Sequence, residues 1–179
     1  RVQQAYQNGN YGFNAGHLNA WSAADEAAKN IRESIRKSQL TSSNSSGSSA
    51  IAIGQLSRSS GTNSVSMGFG ANAYISSTVA LGTSAFSTSD SAVSLGAFAG
   101  ATGQSAVAIG LFSRAQNTNA IGIGNLANAY STSSIAIGQN SISSNTSTVA
   151  IGSGALGSST SSIALGPIAL ATGTSSMAL

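Results

Sequence analysis

The pattern apolar, small, apolar, Gly recurs with a constant period, without insertion or deletion. It opens at Ile51-Ala52-Ile53-Gly54 and starts again at Val65, Val79, Val93, Val107, Ile121, Ile135, Val149 and Ile163, with Met177-Ala178-Leu179 beginning a further copy. A fixed period of this length, fourteen positions from each start to the next, is the mark of a stacked repeat architecture, in which each unit buries its surface only against its neighbours. Counting from the first apolar residue, position 1 is Ile, Val or Met, position 2 is Ala, Ser or Gly, and position 3 is Ile, Leu or Met. Position 4 is Gly at 54, 68, 82, 96, 110, 124, 138, 152 and 166. Positions 7 and 9 are mostly small, as in Ala71-Asn72-Ala73, and positions 10 to 14 are mostly Ser, Thr and Asn.

Two period-2 segments separated by polar turns predict two short strands per repeat. A bulky row at positions 1 and 3 facing a small row at 7 and 9 fits a thin two-layer coil, which points position 1 inward. Gly54, Gly68, Gly82, Gly96, Gly110, Gly124, Gly138, Gly152 and Gly166 are read as structural turn glycines, needed for positive φ or close backbone approach. The expected fold is an all-β solenoid, a stack of nine to ten two-stranded coils. At about 4.8 Å per coil it forms a rod about 45 Å long. A coil this thin leaves apolar outer faces, so the composition predicts burial against identical chains, with the small residues at position 2 allowing close approach.

Residues 1–40 follow a different pattern. Ser22 is placed as the cap of a short helix from Ala23, and Trp21, Ala24, Ala28, Ile31, Ile35 and Ser38 follow the 3-4 spacing of a coiled-coil seam. Residues 41–49, Thr-Ser-Ser-Asn-Ser-Ser-Gly-Ser-Ser, read as a Ser-rich linker, and 50–179 as the repeat domain.

Charge and composition exclude several functions. Residues 1–40 carry five basic and three acidic side chains, whereas the rest of the chain has only Arg58, Asp90 and Arg114. Three scattered charges are not the cation cluster that binds nucleic acid, despite a net charge of +3. The chain has no Cys and a single His, His17, so thiol chemistry, a Ser-His-Asp triad and a Cys/His metal site cannot be assembled within one chain. Gly68-Phe69-Gly70 and Gly122-Ile123-Gly124 lie in β repeats, where no helix opens to face a phosphate. No enzyme activity, cofactor or metal is expected. No apolar run is long enough for a membrane span, so membrane contact by this segment is not expected. The chain opens without a signal-peptide pattern and reads as a piece of something longer.

Surface rows are what remain. Position 8, between two small inward residues, points outward and reads Arg58, Asn72, Phe86, Gly100, Arg114, Asn128, Ile142, Leu156, Leu170. Ile142, Leu156 and Leu170 form an apolar row that serves either a partner or a neighbouring subunit, and Arg58 and Arg114 are the next candidates. Position 6 carries Phe98, Phe112 and Leu126, read as stacking at a corner of the roll. Position 12 carries Thr118, Thr132, Thr146, Thr160 and Thr174, for which turn chemistry is the simplest account.

The nine phased Val-Ala-Ile-Gly-like copies, each followed by a small-x-small segment and a Ser/Thr-rich turn, resemble the YadA-like head repeat of trimeric autotransporter adhesins. The resemblance implies a left-handed parallel β-roll, a homotrimer, an extracellular location on the bacterial surface, and attachment to a protein or cell-surface receptor on host cells or matrix. Departures are present: a Gly before the next strand stands only at 61, 103 and 173, and no membrane anchor or neck motif is recognisable. The same stack would also serve as a segment of a phage or virus-like fibre or, less readily, as an ice-binding solenoid.

Overall fold

Each repeat closes into a coil because it contains two turns of the same kind. In the computed structural model, which describes residues 15–40 and 43–179, positions 4–7 and 11–14 both form four-residue turns. The Ala127 N–H donates to the Gly124 carbonyl (3.3 Å) and the Ala120 N–H to the Asn117 carbonyl (3.0 Å). The third residue of each turn has positive φ, 57° at both Leu126 and Asn119, as a type II turn requires. Between the turns run a three-residue strand at positions 1–3 and a two-residue strand at positions 8–9.

Among the described residues twenty strands result, from β1 (Asn44–Ser45), β2 (Ile51–Ile53) and β3 (Arg58–Ser59) through to β19 (Leu170–Ala171) and β20 (Met177–Ala178). Odd-numbered strands form one ten-stranded sheet and even-numbered strands a second. Pairing is parallel, with partners one repeat apart, as in Val107↔Ile121 and Arg114↔Asn128. The ladder continues through the corners: the Leu126 N–H donates to the Leu111 carbonyl and the Asn119 N–H to the Gln104 carbonyl, both at 2.9 Å. The backbone of each inner coil is thus satisfied by its neighbours above and below, which matters in a chain with so little apolar volume to bury.

The interior differs from the expectation in one respect. Position 2 points inward with positions 7, 9 and 14, and positions 1 and 3 point outward. Ala108 is fully buried, whereas Val107 and Ile109 on either side are half-exposed. The whole core is Ala, Ser, Thr and Gly, and its largest fully buried side chains are Thr78 and Thr148. Space explains the reversal: two turns of four residues hold the sheets too close for Val or Ile on the inner face. Position 2 therefore contributes to the interior of its own roll and not to close approach between chains.

Hydroxyls are tolerated inside because the turns supply acceptors. At position 7, Ser57, Ser113 and Ser141 donate to the carbonyls of Gly54, Gly110 and Gly138, three residues back. At position 14, Ser64, Thr78 and Ser134 donate to Gly61, Ile75 and Ser131 in the same way. Among the described residues the exception is Ser66 at position 2, whose buried Oγ has no partner.

Two other boundaries change. Asn44 and Ser45 pair in register with Arg58 and Ser59, so the segment read as a linker enters the first coil. The helix, α1 (Ala15–Leu40), has 26 residues and starts upstream of the expected cap, so that Ser22 lies within it. Ala15, Leu18 and Ala20 favour helix and carry it through Gly16. Of the seam, Ile31 is 60% exposed, and the side chains of Trp21, Ile35 and Ser38 lie outside the described residues, as does that of His17. Lys29 and Glu26 pair across one turn at 3.9 Å, both largely exposed, so the pair adds little. The helix and the roll belong to separate compact units.

The inverted interior is testable. Ala108→Leu should destabilise the roll by about 3 kcal/mol through overpacking, while Val107→Ser should leave the β circular dichroism intact. Ser66→Ala removes an unpaired buried hydroxyl and should raise the melting temperature, with a gain of about 1 kcal/mol.

Candidate functional site

With the interior filled by small side chains, whatever the molecule recognises must be met on its outer faces, of which there are four. On the two-residue sheet, position 8 is flanked by buried residues and points outward in register, Asn128↔Ile142↔Leu156↔Leu170. Ile142 and Leu156 are half-buried by their neighbours in the stack, and Leu170 is 55% exposed. Arg58 and Arg114 are both exposed on this face. They stand four coils apart, about 19 Å at the spacing of paired strands, so the fold does not join them into one cationic site. The residues between them, and Asn128 in the coil after Arg114, are structural. The amides of Asn72 and Asn128 donate to the carbonyls of Gly70 and Leu126 in the adjoining turns (2.8 and 2.9 Å). The Phe86 ring lies over Gly100, where an added Cβ would come within 2.3 Å of it.

On the three-residue sheet, positions 1 and 3 form an aliphatic wall along the rod. Ile51, Ile53, Met67, Leu95 and Ile151 are its most open members among the inner and first coils, between 38% and 53% exposed. Sequence reasoning placed this wall inside, and the signal that would have found it is the invariably small position 2.

The two corners differ in chemistry. Positions 12–13 are polar in every complete repeat, and Thr118, Thr132, Thr146, Thr160 and Thr174 are exposed there on a turn rather than on a flat sheet. Side chains at position 11 reinforce this corner: Ser131 donates to the Ser144 carbonyl (3.0 Å) and Asn145 to that of Ser158 (2.6 Å) in the next coil. The Asn145 amide of the sequence Asn145-Thr146-Ser147 is therefore engaged within the stack. The other corner carries Leu111, Phe112, Phe98 and Leu126, and the Phe98 and Phe112 rings stack with centroids 4.8 Å apart. Among the described residues there is no group of three or more His, Asp or Glu that could hold a metal ion.

The predicted turn glycines line up as a column along one edge of the three-residue sheet. Their φ values run from 112° to 136°. At Gly110 a Cβ would lie 2.5 Å from the Gly124 carbonyl oxygen of the next coil, and the same clash recurs at the others from Gly54 to Gly152. Both the dihedral and the spacing exclude a side chain.

A rod of parallel coils with a small-residue core, a glycine edge and apolar outer rows defines a head-type β-roll. The YadA head domain repeat family matches residues 45–71, 59–85, 76–99, 101–127, 115–141, 129–155 and 158–179, and the chain belongs to this family of adhesin heads. Among solved structures, the collagen-binding domain of the Yersinia adhesin YadA is similar over 76% of this chain and 68% of that one, with 26% identity and a TM-score of 0.55. No curated protein gives a significant match.

The glycine column gives a paired test. Gly110→Ala must move the backbone of the next coil and should cost at least about 3 kcal/mol. Gly70→Ala, at φ 64° with its nearest neighbour 3.6 Å from the added Cβ, should cost only about 1 kcal/mol, the left-handed penalty alone. Comparable melting temperatures for the two variants would show that the column is not a packing requirement.

Proposed function

We propose that the chain is the non-enzymatic head of a bacterial surface adhesin, working as a homotrimer that attaches to extracellular matrix. The observation that carries this reading is the family match along the repeats, joined to a molecule whose recognisable chemistry is all on its outer faces. The similarity to a collagen-binding domain supports a matrix protein as the partner class.

The aliphatic wall supports assembly. Positions 1 and 3 present Val, Ile, Leu or Met in every complete repeat, a contiguous apolar strip along the rod. A strip of this size matches the largest apolar patch that a typical monomer exposes, and patches of that size commonly mark interaction sites. Identical chains in the same register cover it coil by coil, and the family resemblance supports three of them. The two-residue sheet, facing away from the wall, is then left for the partner, with the Ile142, Leu156 and Leu170 row on it. Burying one aliphatic side chain contributes roughly 1.5–3 kcal/mol, so one row supports weak attachment. Three rows on a rigid trimer raise avidity without new contacts, provided the target offers several sites within reach.

The experiment uses the full chain. Light scattering should give a trimer, and the trimer should attach to immobilised collagen or another fibrous matrix protein. The triple variant Ile142→Ser/Leu156→Ser/Leu170→Ser should lose attachment at least tenfold while remaining trimeric, with the melting temperature lowered by only a few degrees. Dissociation of that variant into single chains would instead make the row a subunit interface.

A further inference from the structure

The two turns of each coil form an internal control. They share a backbone: the third residue has φ of 57° at Phe98, 56° at Phe112 and 57° at Leu126 in one, and 55° at Ser105, 57° at Asn119 and 55° at Ser133 in the other. They share a hydrogen-bond scheme, with the third residue's N–H donating to the preceding coil. Their side chains nevertheless differ, most sharply on the three middle coils, whereas positions 5–6 of several other coils hold Gln, Ser, Thr, Asn or Gly. Positions 12–13 hold only Thr, Ser, Asn, Asp and Gln, whereas positions 5–6 place Leu111, Phe112, Phe98 and Leu126 side by side, each 42–44% exposed. Left-handed backbone favours Gly and Asn and penalises bulky residues, so Phe and Leu run against the local preference. The fold does not require them, because the other corner is built without any.

We infer that this ridge of Phe98, Leu111, Phe112 and Leu126 is a subunit contact, and that its occupant is a second copy of this chain. The inference rests on the trimer reading above and adds where the contact extends. Continuity is the first reason: position 4 alone separates the ridge from the wall at positions 1 and 3, so both present apolar groups along one side of the rod. Area is the second. The ten strands of this sheet, all but the last three residues long, give a flat footprint of about 450 Å², from about 4.8 Å between strands and about 3.3 Å per residue. Divided between two neighbours, that supplies roughly a quarter to a third of the ~800 Å² each partner gives to a standard interface. The wall must therefore be extended around a corner. This corner alone carries Phe and Leu, and on the middle coils the stacked rings of Phe98 and Phe112 with Leu111 and Leu126 make it a ridge.

The chain has no cysteine, so single thiols report the contact cleanly. In the assembled protein the Leu126→Cys thiol should react with a maleimide at least about tenfold more slowly than the Ser133→Cys thiol on the polar corner, and should match it once the assembly is dissociated. The variant Phe98→Ser/Phe112→Ser/Leu126→Asn installs residue types that the polar corner already holds in the same conformation. It should keep its β circular dichroism while its dissociation, followed by analytical ultracentrifugation, moves to about 100-fold higher protein concentration. Equal labelling of the two thiols in an assembled protein, or unchanged association of the triple variant, overturns the inference and leaves the trimer reading standing. A wild-type chain that is monomeric overturns both. Loss of matrix attachment from a variant that remains fully assembled assigns the ridge to a foreign partner and also overturns the inference.

Discussion

A repeat this short that must also make two complete turns leaves an interior only as wide as two methyl or hydroxyl side chains. That limit governs the rest of the molecule. It selects Ala, Ser, Thr and Gly at positions 2, 7, 9 and 14, and it expels Val, Ile and Leu to positions 1 and 3. In most domains branched aliphatic residues mark the inside; here they mark the outside, because the inside has no room for them. A core this small contributes little apolar area. Cohesion within one roll therefore rests on the continuous parallel ladder and on turn carbonyls that accept inward hydroxyls, and the larger hydrophobic contribution is left for contacts between rolls.

The ladder couples each coil only to the coils above and below. Errors that push neighbouring coils apart are consequently more serious than errors on the outer faces. The glycine column shows this most plainly, since each glycine from Gly54 to Gly152 faces the carbonyl oxygen of the next at a separation that admits no carbon. The outer faces are free of that constraint, and on them the sequence varies: Arg58, Phe86, Gly100 and Leu170 all occupy position 8 without disturbing the register. Structural demand and surface chemistry are thus carried by alternate residues of the same strand.

Much of this was legible in the sequence. The period, the two strands per unit, the parallel stack, the glycines and the outward direction of position 8 follow from spacing and residue size. The facing of positions 1 and 3 did not follow, because hydrophobicity and interior volume gave opposite answers and the former was preferred. Position 2, small in every copy from Ala52 to Ala178, carried the deciding signal. The coil entered at Asn44 was hidden because its strand is polar, although Gly47 and Ala50 lie one full repeat before Gly61 and Ser64, in phase with the rest. The helix start was displaced by a plausible cap at Ser22, which local propensity upstream outweighed. The apolar corner was noted as stacking, but its meaning rests on a comparison with the other turn's dihedral angles, and those are not written in residue types.

Because every coil presents its neighbour with the same backbone, the joint between any two coils is interchangeable with any other. Removing or duplicating one whole repeat rejoins ladder to ladder and glycine to glycine, whereas an excision one residue longer or shorter leaves one coil at the joint that cannot make both turns in register. A gene of this kind can change length by recombination between its own repeats and still encode a folded product. Each such event alters the reach of the rod by about 4.8 Å and leaves its cross-section as it was. Reach and surface character can therefore vary independently across generations.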